Sequence, residues 1–167
     1  MVKGGGFKFE PTLQTKYVKG EKMEPNEKVY DSPMEWVRKH IQDYVESNGE
    51  KGHSWRGFPA LLLTTRGRKT GKLHRTGLIY GRDGDNYLLV ASKGGAPTHP
   101  NWYLNLVKNP EVVLQVGAEK FRGRARTATP EEKKRLWPVM VKIFPDYEKY
   151  QEKTERVIPV VIVEKMK

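Results

Sequence analysis

Residues 64–71 read TTRGRKTG and continue through KLHRTG to Gly77, so Arg66, Arg68, Lys69, Lys72 and Arg75 crowd one short stretch with His74 and no acid. Gly67 and Gly71 let such a turn close tightly. Guanidinium and ammonium groups on a tight turn hold anions through charge-assisted hydrogen bonds, which makes the stretch a candidate anion grip; a solvated basic turn is the plainer alternative. It is not a Walker loop, because GRKTG lacks the GxxxxGK spacing followed by Ser or Thr.

A second constellation, Ser92, Lys93, Gly94, Gly95 and Ala96, offers a hydroxyl, a cation and two permissive backbone positions. It extends the anion grip if the intervening strands bring the two loops together. Asn101, Trp102 and Tyr103 follow and supply a polar contact and an aromatic wall, or simply core. Tyr147 and Tyr150, three apart, share one helical face.

The elements that must position these groups are legible from period and punctuation. Apolar runs at 59–65, 77–80 and 87–92 predict buried strands, with a hairpin turn at Arg82, Asp83, Gly84 and Asp85, so the basic turn sits at one end of a β-meander. Upstream, Ser32 as N-cap, Pro33 at N1 and Glu35 at N3 predict a helix with Trp36, Val37, Ile41, Tyr44 and Val45 on its apolar face, ended by Asn48 and Gly49. Downstream come a short helix at 100–107, strands at 111–117 and 120–127, a helix capped by Thr129 and Glu132, a short helix with the two tyrosines, and a last strand at 157–163. Lys120, Arg122, Arg124 and Arg126 alternate with small or apolar residues, as in a half-exposed strand. Six mainly antiparallel strands with interspersed helices and no βαβ alternation predict an α+β barrel.

Composition bounds the function. The 167 residues suit one domain, residues 31–167, behind a flexible tail, 1–30, in which Phe7, Phe9, Leu13, Tyr17 and Val18 are sparse anchors. Zero cysteines exclude disulfides, iron–sulfur clusters and thiolate nucleophiles, so redox work falls to a bound organic cofactor. His40, His53, His74 and His99 lack a metal-binding spacing, and no metal is expected. The formal charge of +11 fits nucleic acid, an acidic membrane surface or an anionic cofactor. With no aromatic-rich RNA motif or recognition-helix pattern, specific nucleic acid is not expected. A cytoplasmic protein is expected from the lack of signal and membrane-spanning segments, with peripheral contact of the tail at the inner membrane face as an added option.

In order along the chain, LLLTTRGRKTG, LIYGRDGDNYLLVASKGGAPTHPNWYLNL, ARTATPEE, LWPVM, FPDYEKYQ and RVIPVVIVE resemble the deazaflavin-dependent nitroreductase family. That resemblance covers about residues 31–164 and implies a split β-barrel related to flavin-mononucleotide-binding reductases, holding reduced coenzyme F-420 and passing hydride to a small-molecule electrophile: a quinone, enone or nitroaromatic. It implies cofactor contacts for Arg68, Lys69, His74, Arg75, Ser92, Lys93, Gly94, Gly95, Asn101, Trp102 and Tyr103. It implies catalytic roles for Ser92, Tyr147 and Tyr150, and a substrate pocket of Ile79, Phe144, Tyr147 and Tyr150. Ile79 and Phe144 stand where some relatives carry tyrosine, and Gly77 where proline is common. A flavin mononucleotide enzyme of the same fold is the alternative cofactor reading, a basic nucleic-acid-binding module the more distant one, and a homodimer is compatible with either enzyme.

Overall fold

The computed structural model describes residues 23, 24 and 26–167. The tail anchors Phe7, Phe9, Leu13, Tyr17 and Val18 lie outside them. The described elements are β1 (Val29–Asp31), α1 (Glu35–Glu46), β2 (Ser54–Trp55), β3 (Phe58–Arg66), β4 (Leu73–Ile79), β5 (Gly81–Asp83), β6 (Asn86–Val90), a 3-10 turn (Lys93–Gly95), α2 (Asn101–Lys108), β7 (Glu111–Val116), β8 (Glu119–Thr127), α3 (Pro130–Ile143), α4 (Asp146–Lys153) and β9 (Val160–Lys165). None of these helices is long and apolar enough to cross a membrane.

The fold is α+β, and among the described residues nine strands form one sheet in the order β1-β4-β3-β7-β8-β9-β6-β5, with β2 added to β3. Only the β1–β4 pair is parallel, and the path does not close. The count exceeds the expected six by β1, β2 and β5, each of three residues or fewer. Strands that short carry too few residues for a period of two to register.

The expected meander is instead two hairpins. β4 pairs with β3 and β1, whereas β6 pairs with β5 and β9. The apolar run VVIV explains the separation: Val161 and Val163 enter the main core with Leu61, Leu63, Leu89 and Leu114, while Val160 and Ile162 meet Leu136 and Met140 beneath α3. A strand apolar on both faces must be covered on both, and each fully buried Val, Leu or Ile contributes about 1.5–3 kcal/mol. β9 therefore takes the interior place between β8 and β6.

α1 starts later than its sequence cap predicts. Ser32 N–H donates to the Arg75 carbonyl at 3.0 Å, which keeps Ser32 on the β1 ladder, and its hydroxyl accepts from Met34 N–H at 3.3 Å instead of capping the helix. Met34 is the N-cap, so Pro33 precedes the helix. Val37, Ile41 and Tyr44 pack on Leu62, whereas Trp36 is 57% exposed and stacks on Trp55 outside the core. The helix ends as expected at Asn48 and Gly49, both with positive φ. At α3 the predicted capping box forms: the Thr129 hydroxyl accepts from Glu132 N–H, and the Glu132 carboxylate accepts from Thr129 N–H.

Candidate functional site

The basic turn is the tip of the β3–β4 hairpin. The last register pair is Arg66 with Leu73, and Gly67 N–H donates to the Lys72 carbonyl at 2.7 Å. The strands run further into the basic stretch than the apolar pattern indicates, leaving residues 67–72 as the loop. Arg66 is consequently a core residue, 2% exposed, donating from Nη1 and Nη2 to the Glu27 carboxylate at 2.8 and 3.0 Å and from Nη1 to the Gly71 carbonyl at 2.7 Å. Arg75 pairs with Asp31 through Nε and Nη2 at 2.6 and 3.2 Å. Lys72 lies over the Tyr30 ring, with Lys28 also over that ring.

Beside the loop opens a cleft of about 370 Å³. Of the residues singled out in the sequence, Arg68, Lys69, His74, Arg75, Asn101 and Trp102 line it, together with Tyr30, Asp31, Thr65 and Asn105. Arg68 is fixed: its backbone N–H and Nη1 donate to Asn105 Oδ1 at 3.1 and 3.0 Å, and Nη2 reaches Asn101 Oδ1 at 3.4 Å. Asn105 is buried, and its amide donates to the Thr65 hydroxyl at 3.2 Å. Lys69 is exposed at the rim and makes no salt bridge among the described residues. Burial, followed by the charge of Lys72, lowers the His74 pKa, so its ring is neutral at pH 7 and offers the cleft a hydrogen bond rather than a charge. Among the described residues Asp31 is the only acid of the lining, and Arg75 neutralises it. The described lining of the cleft therefore carries a net positive charge from Arg68 and Lys69.

Tyr103 behaves differently. It is buried in the main core, with its hydroxyl 2.8 Å from that of Thr127, and does not line the cleft.

The second constellation forms the turn after β6. Ser92 is right-handed, whereas Lys93, Gly94 and Gly95 have φ of 47°, 63° and 82°. A right-handed residue followed by left-handed ones turns successive backbone N–H groups toward one point, a concavity that accepts anions. Ser92 is buried and Lys93 exposed, its ammonium donating to the Thr98 hydroxyl at 3.1 Å. Because β4 and β6 are not neighbours, this turn joins the cleft through α2: the His99 ring lies 4.9 Å from Tyr103, whose neighbour Trp102 lines the cleft.

α4 packs on the same turn. A Cβ at Gly95 would sit 2.8 Å from the Tyr150 carbonyl oxygen, so only glycine permits the approach. Tyr147 and Tyr150 share a face with Phe144, at ring separations of 4.9 Å for Phe144–Tyr147 and 6.1 Å for Phe144–Tyr150. Burial pushes the Tyr147 phenol well above its ordinary range, so it stays protonated and serves only as a neutral O–H. Phe144 meets Phe58 edge-on at 5.0 Å, and Ile79 lies opposite Ala60, two positions along β3 from Phe58.

Several residues of this region are not marked by sequence pattern. Asn105 carries one faint signal, its i+4 spacing from Asn101 on α2. Arg156 carries none, yet it donates to the carbonyls of Ala91, Ser92 and Ala96 and reaches His99. Glu27 comes from the stretch, 1–30, whose composition predicts a tail, and Asp31 stands at the first position after it.

A family model described as F420H(2)-dependent quinone reductase matches residues 36–165. An F420H(2)-dependent quinone reductase of Mycobacterium tuberculosis is 44% identical over 131 residues, covering 76% of this chain and 88% of that protein. Among solved structures, one described as a domain-swapped dimer is 39% identical with a TM-score of 0.63, over 80% of this chain and 100% of that one. An F420-H2 dependent reductase is 43% identical with a TM-score of 0.59, over 64% and 94%. The heme storage protein of Vibrio cholerae, at 13% identity and a TM-score of 0.51 over 75% and 89%, shares the fold alone. A family model that spans most of the chain, and a relative 44% identical over 76% of it, show that the chain belongs to the F420H(2)-dependent quinone reductase family.

Proposed function

We propose that this protein is an oxidoreductase that binds reduced coenzyme F-420 along the cleft and the 92–95 turn and reduces a small-molecule electrophile, a quinone in the first place. The observation that carries the reading is the donor set of the cleft: Arg68 held by two asparagines, Lys69 beside it, and the single lining acid neutralised by Arg75. These groups fit a cofactor with a phosphate and an acidic tail, and the family membership favours F-420 over flavin mononucleotide. The domain that binds it reaches back to Glu27 and is of split β-barrel type, with the residues before it as a tail. A homodimer belongs to the same reading, since a similar chain is solved as a domain-swapped dimer.

In this reading Arg68 and Lys69 hold the phosphate and acidic tail, His74 and Asn101 add hydrogen bonds, and Trp102 walls the cleft. Backbone N–H groups of residues 92–94 receive electron-rich atoms of the cofactor, and Lys93 adds a positive charge beside them. When bound, reduced F-420 supplies the hydride. Tyr147, neutral throughout the accessible pH range, and Tyr150 donate hydrogen bonds to the oxyanion that develops on the acceptor, with Ser92 as the third hydroxyl. Ile79 and Phe144 give the acceptor apolar walls and no hydroxyl, which suits a quinone ring better than a nitro group.

Fluorescence titration with F-420 and, separately, flavin mononucleotide tests the reading, followed by oxidation of the reduced cofactor with menadione and with a nitroaromatic. Tight F-420 binding with faster turnover of menadione is expected. Preference for flavin mononucleotide, or no F-420 binding, would overturn it.

A further inference from the structure

We propose that Arg156 is a positioning residue: from behind, it clamps the 92–95 turn into the conformation that receives the cofactor and ties that turn to α2 of the cleft through His99. The inference rests on the F-420 reading above for its ligand, while the clamp itself stands on geometry.

The turn closes on itself with Gly95 N–H donating to the Ser92 carbonyl and Ala96 N–H to the Lys93 carbonyl, yet its backbone conformation is unfavourable. Lys93, Gly94 and Gly95 all have positive φ, and for Lys93, which has a Cβ, this is unfavourable. Such backbone persists only where its surroundings over-determine it. Arg156 grips both ends of the segment. On the entering side its Nη2 donates to the Ser92 carbonyl at 2.7 Å and Nη1 to the Ala91 carbonyl at 3.2 Å; on the leaving side Nε donates to the Ala96 carbonyl at 2.8 Å. One planar guanidinium therefore brackets the three positive-φ residues, a span that the point-like ammonium of lysine does not reproduce.

Arg156 is itself fixed. Gln151 on α4 donates from Nε2 to the Arg156 carbonyl at 2.8 Å and accepts from Ile158 N–H at 2.9 Å, pinning the segment between α4 and β9. The remaining contact joins Nη1 to His99 Nδ1 at 3.0 Å. Since arginine only donates, His99 must accept through Nδ1, which places its ring proton on Nε2. His99 in turn packs on Tyr103, beside the cleft residue Trp102. Among the described residues Arg156 bonds three carbonyls and the His99 ring and no carboxylate, so its charge adds to the positive potential behind the turn instead of being cancelled.

The test uses the full chain with Arg156→Ala and Arg156→Lys, read by amide hydrogen exchange, F-420 titration and steady-state kinetics. In Arg156→Ala, the amides of Gly95 and Ala96, which close the turn on Ser92 and Lys93, should exchange at least about tenfold faster while residues 88–90 of β6 stay protected. F-420 affinity should fall about tenfold, with KM for the cofactor rising more than kcat falls, and millimolar methylguanidinium should restore part of it. Arg156→Lys should fall between wild type and Arg156→Ala; if Arg156→Ala does not fold, the lysine variant carries the test, with faster exchange at Gly95 and Ala96 expected at an unchanged thermal midpoint. Unchanged exchange at these amides, or affinity within twofold of wild type in the folding variants, would overturn the clamp. Wild-type protein that fails to bind F-420 would instead sink the cofactor reading, and the exchange measurement would still decide the clamp.

Discussion

Asn105 Oδ1 accepts two hydrogen bonds from the same residue, one from the backbone N–H of Arg68 at 3.1 Å and one from its Nη1 at 3.0 Å. A single buried amide thus sets both the end of the hairpin loop and the direction of its guanidinium. Asn105→Ala removes both and leaves the Thr65 hydroxyl without that donor, at an expected cost of about 1–3 kcal/mol in stability. F-420 affinity should drop about tenfold, because Arg68 then samples many rotamers before binding. Arg68→Ala should weaken binding as much with little change in thermal midpoint. Titration and thermal unfolding of the two variants separate positioning from contact.

Gly94 and Gly95 are neighbours with opposite expected tolerance. Both have positive φ, but a Cβ at Gly94 meets open space, while one at Gly95 strikes the Tyr150 backbone. Gly94→Ala should cost about 1 kcal/mol from backbone strain alone. Gly95→Ala adds the displacement of α4 and should cost roughly 2–4 kcal/mol, lowering the thermal midpoint by about 3 °C per kcal/mol. Equal midpoints for the two variants would refute the packing of α4 on this turn.

The Glu27–Arg66 pair makes the segment before β1 part of the fold. Glu27→Ala removes the carboxylate from a guanidinium that is 2% exposed and should destabilise by roughly 3 kcal/mol, with a lowered urea midpoint and an unchanged m-value. The neighbouring Asn26→Ala, at an exposed position, should change little.

Stability should fall on mild acidification. Burial, then the Arg156 charge, lowers the His99 pKa below its ordinary 6.5, and burial, then Lys72, lowers that of His74. The unfolded chain therefore takes up protons before the folded one, so this contribution is intact above pH 6.5 and is lost as pH falls through the folded values. Thermal midpoints should be flat between about pH 7 and 8 and decline below about 6.5. His99→Gln, which accepts from Arg156 without titrating, should show a shallower decline.

Ile79→Tyr and Phe144→Tyr should shift acceptor preference toward nitroaromatics. Each adds an O–H donor to an apolar wall, and one well-placed donor is worth about 1–3 kcal/mol, or roughly fivefold to 150-fold in kcat/KM ratio. The ratio of nitroaromatic to menadione turnover measures it directly.

The sequence by itself determined the long elements and the two chemical loops. Amphipathic period, capping residues and the VVIV run specify α1, α3, β3, β7, β8 and β9 because local propensity and burial agree there. Glycine spacing and clustered cations marked residues 64–77, and two glycines beside a hydroxyl and a cation marked residues 92–96, since glycine and concentrated like charge are both legible one residue at a time.

Only the tertiary structure decided which cations are available to a ligand. Arg66 and Arg75 read like Arg68, but Glu27, from the predicted tail, and Asp31, at the start of the domain, claim them, a partnership across more than thirty residues that no local pattern encodes. The tertiary fold also decided how the two loops meet. β7, β8 and β9 stand between the hairpins that carry them, and the connection passes instead through His99, Tyr103 and Arg156, whose contacts depend on the sheet order rather than on any neighbour in sequence.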